Sequence, residues 1–217
     1  MYSRIETVAK GVASGLKYLH DRQIVLRDLK PANIGFDEEG QVCLFDFGMA
    51  RNLLKQGPSD DEMCGTPRYM APEIMTGKGG DHCLKQADIY SFGVLLFELC
   101  SLQTPFTHCT SFEQCQEEVS TFCFRPSIKS LPSISTQELI EACWSQEPAL
   151  RPSFEQICKQ MEHMDVNDMI KGEKTMGRRG VRKIGLRKNN STCTTTTTSM
   201  FSSLSELITN DKENAMV

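Results

Sequence analysis

The most constraining feature of this sequence is a short polar loop between two apolar pieces, at positions 25–36. It contains Asp28, Lys30 and Asn33, so an acid, a base and an amide fall within six residues. Loops held by rigid flanks can point several polar groups at one place. Further on, the apolar run at 42–45 ends directly at Asp46. We therefore expect these side chains to converge on a single catalytic site.

Further blocks follow the polar loop in a fixed order. Asp-Phe-Gly occupies positions 46–48, and Gly-Thr-Pro-Arg-Tyr-Met-Ala-Pro-Glu occupies 65–73. A nearly wholly apolar stretch then runs from Asp88 to Cys100, and a helix without a polar face is typical of the centre of a domain. In this order the blocks resemble the C-terminal lobe of the protein kinase family, over roughly residues 4–164.

The resemblance implies a fold of the mainly α (α+β) class, a protein-kinase-like large lobe with short β-strands at its catalytic edge. We expect residues 1–164 to form this partial kinase domain. The Gly-rich loop and lysine strand of the small N-terminal lobe do not occur in the sequence, so that lobe is expected to be absent. Residues 165–217, basic and then Thr-rich, are expected to be a disordered tail because they offer little apolar surface to bury.

Periodicity and turn residues predict the elements of this lobe. Short strands are expected at 24–26, 34–36 and 42–45, with a turn at 37–40 between the second and third. The stretch 52–64 is polar and is expected to be a mobile surface loop. Helices are expected at 3–23, from Pro72, at 88–100, 111–119, 135–144 and 152–161.

The resemblance also implies roles for the polar residues. Asp28 would orient the substrate hydroxyl as the catalytic base, and Lys30 would contact ATP and neutralise charge on the transferring phosphoryl group. Asn33 and Asp46 would be the oxygen ligands of Mg²⁺. The competing interpretation makes Asp28 and Asn33 turn residues and Asp46 a helix cap, which leaves their spacing unexplained.

Two residues bear on the substrate. The form Asp-x-Lys-x-x-Asn, with Lys30 at its centre, is typical of serine/threonine-specific members of the family. Thr66 favours the same choice, because the family's threonine bonds the catalytic Asp and Lys and shapes the floor of the substrate site. The alternative for Thr66 is an ordinary turn residue before Pro67. The implied function is a serine/threonine protein kinase, with ATP and a protein substrate as partners.

A regulatory role follows for Arg27, which directly precedes Asp28. In kinases of this type the arginine faces a phosphorylated residue, and an Arg fork is a strong phosphate ligand. Ser59 is the best candidate for that phosphorylated residue. The acidic residues at 60–62 could partly replace the phosphate, and a plain solvated acidic loop is the equal alternative.

Three positions carry structural expectations. Glu73 and Arg151 would form a buried ion pair, as the equivalent residues do in the family. Asp88 would anchor the catalytic loop from the central helix. The residues around Arg151, which run Trp-Ser-Gln-Glu-Pro-Ala-Leu-Arg-Pro, resemble the tyrosine-kinase-like branch of the family.

The sequence departs from the family at two places. Leu26 stands where a histidine is usual, which keeps packing and loses a hydrogen bond. Only 27 residues precede Asp28, too few for a small lobe. We therefore expect a truncated copy of a full kinase, with low activity without the missing N-terminal lobe or upstream region. The alternative is a non-catalytic docking or regulatory module.

Composition limits the remaining possibilities. The net charge is −4, but residues 171–190 hold eight basic side chains and one Glu, so the rest is acidic and no specific nucleic acid partner is expected. The basic segment could be a nuclear signal, although a solvated tail is the simpler interpretation. Ten cysteines without a Cys-x-x-Cys pair and no long apolar run indicate an intracellular protein, cytoplasmic rather than nuclear, without a membrane partner.

Overall fold

The computed structural model of the chain describes residues 2–55, 63–131 and 133–164. The predicted tail at 165–217 and the predicted phosphorylation site Ser59 lie outside these described residues. The described part is mainly helical, and its short strands form two-stranded antiparallel sheets. The predicted fold class, a helical large lobe with short strands, is confirmed.

The helices are α1 (Tyr2–Asp21), α2 (Pro72–Met75), α3 (Leu84–Ser101), α4 (Phe112–Gln116), α5 (Ile134–Cys143) and α6 (Phe154–His163). The strands are β1 (Ile24–Val25), β2 (Ile34–Phe36), β3 (Val42–Leu44) and β4 (Arg51–Asn52). Short 3₁₀ turns occupy Pro31–Asn33, Pro67–Tyr69, Asp81–Cys83 and Pro148–Leu150, and a π-helical turn at Glu117–Thr121 continues α4 directly.

Helix α3 forms the centre of the core. All its residues from Ala87 to Leu99 are buried, and it packs against α5 and α1. This placement follows from its composition, since a helix without a polar face can bury all its sides. The helix ends at Ser101, and the next residue, Leu102, adopts a left-handed φ of 56°. Within the described part of the chain, no helix combines the length and apolar character needed to cross a bilayer.

Helix α1 buries a single apolar stripe, as its sequence period predicts. Val8, Val12, Leu16 and Leu19 recur at intervals of three and four residues and are each no more than 3% exposed. Helix α1 packs against α3, α6 and β3. The helix leads through a two-residue turn into β1, so the core fixes the entry to the polar loop.

Strands β2 and β3 form a hairpin that flanks the polar loop. Ile34 pairs with Leu44, and the turn between the strands is organised by Asp37, whose Oδ1 accepts the N–H groups of Glu39 at 3.0 Å and Gln41 at 2.7 Å. Gly40 takes a φ of 81° in this turn, which suits glycine. The predicted strands and turn are confirmed here.

The predicted surface loop at 52–64 is wrong at its first residue. Arg51 and Asn52 form β4, which pairs antiparallel with β1, and Asn52 is only 4% exposed. A two-residue strand carries no readable period, and its partner lies before the polar loop in sequence. The pairing brings the chain that follows Asp46 back alongside Val25.

Candidate active site

Three of the predicted site residues form a closed triangle of hydrogen bonds. Lys30 Nζ donates to Asp28 Oδ2 at 2.5 Å and to Thr66 Oγ1 at 3.0 Å, and Thr66 Oγ1 donates to Asp28 Oδ1 at 2.7 Å. Asp28 is only 6% exposed, so this carboxylate is held by an ammonium group and a hydroxyl in a largely dry setting. Such charge-assisted hydrogen bonds are stronger than hydrogen bonds between neutral groups.

Asn33 joins the same group from the 3₁₀ turn that follows Lys30. Its Nδ2 donates to the backbone oxygen of Asp28 at 2.9 Å and to Asp28 Oδ2 at 3.2 Å. The amide nitrogen therefore donates to Asp28, and the amide oxygen remains as an acceptor. Proline at 31 starts this turn, because its fixed φ suits the first position.

Asp46 is connected to this group through the backbone of the preceding residue. Phe45 N–H donates to the Asn33 carbonyl at 2.8 Å, so the backbone before Asp46 touches the polar loop. The Asp46 carboxylate is exposed, and its Oδ1 accepts the Gly48 N–H at 3.3 Å. The predicted convergence of Asp28, Lys30 and Asn33 thus appears as direct contacts, and Asp46 is brought near by backbone pairing.

Two residues of the site have left-handed backbones, Arg27 with a φ of 68° and Asp46 with a φ of 61°. Such conformations cost about 1–3 kcal/mol outside glycine and persist where the surroundings fix them. At Arg27 the fixing group is the Asp88 carboxylate, which accepts the Arg27 N–H at 2.8 Å. The sharp turn at Arg27 directs the next residue, Asp28, toward Lys30 and Thr66.

Asp88 anchors the loop from α3, where the sequence analysis places this role. Its side chain is fully buried, and its Oδ2 accepts the Leu26 N–H at 2.8 Å. The backbone of Leu26 makes this bond, and its side chain is fully buried in the core. The substitution of leucine for the usual histidine therefore leaves this anchoring contact intact.

His20 is a further hydrogen-bond partner of Asp88. It is assigned no role from the sequence. Its Nε2 lies 2.9 Å from Asp88 Oδ2, and its ring meets Phe154 edge-on at 4.9 Å. Lys85 Nζ donates to the His20 carbonyl at 2.8 Å. No local signal marks His20, because its partners lie more than sixty residues away in the chain.

Gly65 brings Thr66 within reach of Asp28. Its φ is 120°, and a Cβ at this position would lie 2.9 Å from the Arg27 carbonyl oxygen. The backbone conformation and the close approach of this oxygen both exclude a side chain at position 65. The turn after Thr66 is fastened to α3, since Ser91 Oγ donates to the Tyr69 carbonyl at 2.7 Å and the Tyr69 hydroxyl donates to Glu98 Oε2.

The expected ion pair between Glu73 and Arg151 is present. Arg151 Nη1 lies 2.6 Å from Glu73 Oε1 and Nη2 lies 2.9 Å from Oε2, the two-pronged geometry that suits a guanidinium. The Arg151 side chain is fully buried and also donates to the carbonyls of Ser145 and Gln86 at 2.9 Å. The pair ties the start of α2 to the loop before α6.

Arg27 lines a small cavity of about 50 Å³. Its Nε donates to the Met49 carbonyl at 2.5 Å. Arg51 and Asp81 also line the cavity and form a two-pronged ion pair, with contacts of 2.8 and 2.9 Å. Met63, the first described residue after the stretch that contains Ser59, lies on its wall.

The site residues fit a hard divalent cation and a nucleotide phosphate. The Asn33 amide oxygen and the exposed Asp46 carboxylate come from segments joined by the Phe45–Asn33 hydrogen bond, and Mg²⁺ prefers such oxygen ligands. Lys30 has three donors and uses two of them on Asp28 and Thr66, so one remains for a phosphate oxygen.

Comparison with known proteins agrees with this geometry. The family model described as protein kinase domain matches residues 2–161. A serine/threonine-protein kinase of Arabidopsis thaliana, STY17, is 35% identical over 181 residues, covering 83% of this chain and 31% of the relative. The dual specificity protein kinase shkC of Dictyostelium discoideum is 35% identical over 174 residues, covering 78% of this chain and 34% of the relative.

A further relative is the serine/threonine-protein kinase CTR1 of Arabidopsis thaliana, 37% identical over 153 residues. That match covers 70% of this chain and 18% of the relative. The chain spans about a third or less of the length of the curated relatives described here. The matched region contains the whole hydrogen-bonded group around Asp28.

Proposed function

This chain belongs to the protein kinase family, and we propose that its protein transfers the γ-phosphoryl group of ATP to serine or threonine hydroxyls of other proteins. The observation that carries the proposal is the triangle formed by Asp28, Lys30 and Thr66. It places a carboxylate, an ammonium group and a hydroxyl at one point, as phosphoryl transfer requires.

Each residue of the group has its own role in phosphoryl transfer. Asp28 accepts a hydrogen bond from the substrate hydroxyl and orients its oxygen toward the phosphorus atom. Lys30 holds the Asp28 carboxylate and turns its remaining donor to the transferring phosphoryl oxygens, where negative charge is greatest. Thr66 fixes both partners, so little reorganisation is needed when the substrate arrives.

Asn33 and Asp46 would hold the metal. Mg²⁺, when bound with ATP, neutralises phosphate charge and aligns the nucleotide. Asn33 is oriented by its two hydrogen bonds to Asp28, so its amide oxygen keeps a fixed position relative to the Asp28 carboxylate. Hydrogen bonding within this chain thus orients the Asn33 ligand together with the Asp28 base.

Specificity for serine and threonine rests on Lys30 and Thr66. Both serine/threonine and dual specificity kinases are among the relatives. In this chain Lys30 and Thr66 are hydrogen-bonded to each other beside Asp28, the arrangement that the resemblance associates with serine and threonine substrates. Phosphoamino acid analysis of a labelled protein substrate checks this, and phosphotyrosine as the main product would contradict it.

Regulation by phosphorylation of Ser59 is a further part of the proposal. The cavity beside Arg27 holds a second guanidinium, Arg51, and Met63 on its wall leads from the segment that contains Ser59. We propose that the Arg27 guanidinium would bind a phosphate on Ser59. Mass spectrometry of the active protein should find the Ser59 phosphate, and Ser59→Ala should lower activity in the same preparation.

The deciding experiment measures Mg²⁺-dependent transfer of labelled phosphate from ATP to a protein substrate. It uses a version of the protein extended at its N-terminus alongside the 217-residue chain. We expect the extended protein to be active, the shorter chain to show little turnover, and Asp28→Asn to lower turnover by about 10²–10⁴-fold. Asp21→Asn, a substitution on exposed α1 surface, is the matched control.

Two outcomes would contradict parts of this proposal. An extended protein that binds ATP or partners but shows no Asp28-dependent transfer would contradict the proposal and favour a docking or regulatory module. Robust Asp28-dependent turnover by the 217-residue chain would contradict only the expectation of low activity.

A further inference from the structure

An ion pair outside the hydrogen-bonded group around Asp28 lies in the wall of the cavity that Arg27 lines. Arg51 Nη1 lies 2.8 Å from Asp81 Oδ1, and Arg51 Nη2 donates to Asp81 Oδ2 at 2.9 Å. Both residues line the cavity together with Arg27. Two parallel contacts are the strong arrangement for a guanidinium and a carboxylate, so Arg51 already has an anion as its partner.

Both partners are placed by the backbone of separate elements. Arg51 lies in β4 and pairs with Val25 of β1, two residues before Arg27. Asp81 begins the 3₁₀ turn Asp81–Cys83, which leads directly into α3. The ion pair therefore forms between two ordered segments and joins β4 to the start of α3.

The two side chains differ in their access to water. The Arg51 side chain is 17% exposed, and the Asp81 side chain is 55% exposed. A largely buried guanidinium depends on an anionic partner, whereas a half-exposed carboxylate recovers its hydration when it leaves an ion pair. Asp81 is therefore the partner that another anion can replace, while Arg51 stays in the cavity wall.

The charged side chains of the cavity wall balance one another. Among the described residues that line it, Arg27 and Arg51 are cationic, and Asp81 and Asp88 are anionic. The fully buried Asp88 carboxylate is fixed, because it accepts the N–H groups of Leu26 and Arg27, each at 2.8 Å. Release of Asp81 is the change that gives this wall a net positive charge.

We propose that Asp81 is a resident counter-anion that occupies Arg51 and competes with a phosphate group for it. A phosphate dianion in this cavity takes the Arg51 guanidinium in place of the Asp81 carboxylate, which turns to solvent. While it is in place, Asp81 weakens phosphate binding, because it holds Arg51 and repels a like charge. It also ties β4 to α3 without phosphate, so the site responds less to phosphate. The consequence for activity rests on the proposed function.

The test measures phosphate affinity in the folded 217-residue chain. Thermal unfolding is followed as inorganic phosphate replaces chloride at constant ionic strength, because a ligand of the folded state raises the unfolding temperature. Asp81→Asn keeps the shape of the side chain and removes its charge, and we expect it to bind phosphate at least about threefold more tightly than wild type. Asp21→Asn, which changes an exposed carboxylate of α1, is the matched control and should leave the affinity unchanged.

A double-variant cycle assigns the effect to Arg51. In an Arg51→Gln background, Asp81→Asn should leave phosphate affinity unchanged, because the guanidinium for which the two anions compete is gone. Arg51→Met repeats the cycle if the glutamine variant unfolds. Equal phosphate affinity of Asp81→Asn and wild type, no phosphate binding by either, or a gain that persists without Arg51 would overturn the proposal.

A second arm separates a phosphate carried by the chain from free phosphate. An extended, active form of the protein is assayed before and after phosphatase treatment, and its loss of activity should be at least about twofold greater for Asp81→Asn than for wild type. A gain in the phosphate titration without this greater loss identifies free phosphate as the ligand. An extended protein without transfer activity would contradict the proposed function and leave the titration result standing, so the two failures are distinguishable.

Discussion

The hydroxyl of Thr66 donates a 2.7 Å hydrogen bond to Oδ1 of Asp28, although 38 positions of chain separate the two residues. Lys30 closes the triangle with both of them. The bond joins the polar loop to the segment expected to carry the substrate. Loss of this bond should therefore change catalysis more than folding.

Replacement of Thr66 tests that connection in an active, extended form of the protein. Thr66→Val removes the hydroxyl and keeps the shape, and we expect kcat/KM to fall about 10- to 100-fold, since hydrogen bonds to charged groups are worth about 1.5–3 kcal/mol. Thr66→Ser keeps the hydroxyl and is the control. Equal activity of the valine variant and wild type would remove Thr66 from the site.

The Glu73–Arg151 ion pair should be structural. Glu73→Ala leaves a fully buried guanidinium unpaired, so we expect the free energy of unfolding to fall by about 3–5 kcal/mol in urea titrations. The double variant Glu73→Leu with Arg151→Met should recover part of this loss. Lys159→Ala breaks the exposed Lys159–Glu155 pair and should leave the urea midpoint unchanged.

We expect replacement of glycine by alanine to have opposite effects on stability at two positions of α1. A Cβ at Gly15 would lie 3.1 Å from the movable Leu44 Cδ1, so Gly15→Ala should stabilise by up to about 1 kcal/mol through helix propensity. A Cβ at Gly11 would lie 2.6 Å from the Val42 Cβ, so Gly11→Ala should destabilise by about 1–3 kcal/mol. Thermal unfolding of both variants, compared with wild type, gives the result.

The Glu98 carboxyl should give stability a specific pH dependence. Burial raises its pKa above the ordinary 4.5, although the hydrogen bond from Tyr69 acts in the opposite direction. A raised pKa in the folded state means that the folded chain binds the proton more tightly than the unfolded chain. The stabilising contribution of this group is therefore full below pH 4.5 and is lost as pH rises through the folded-state pKa.

Glu98→Gln removes that titration and keeps an acceptor for Tyr69. We expect urea unfolding to show the variant gaining stability relative to wild type as pH is raised above about 4.5. A constant difference between the two proteins across this range would show that Glu98 does not titrate with a raised pKa.

Much of the local structure could be predicted from the sequence. The period of α1, the apolar character of α3 and the Pro72 start of α2 are signals carried within one element, and the structure agrees with each. The β4 pairing of Asn52 could not be predicted, because its partner strand lies before the polar loop. His20 was missed for the same reason, since only folding places it beside Asp88.

The order of the polar blocks determined, from the sequence alone, the family, the fold class and which side chains are candidates for the chemistry. That information is local, because residue type and spacing fix helix faces, turns and motifs. The tertiary structure decided which candidates touch: it joined Asp28 to Thr66 and placed the Asp88 carboxylate against the Arg27 N–H. Such contacts depend on how whole elements pack, and a one-dimensional pattern carries no distances between elements that are far apart in the chain.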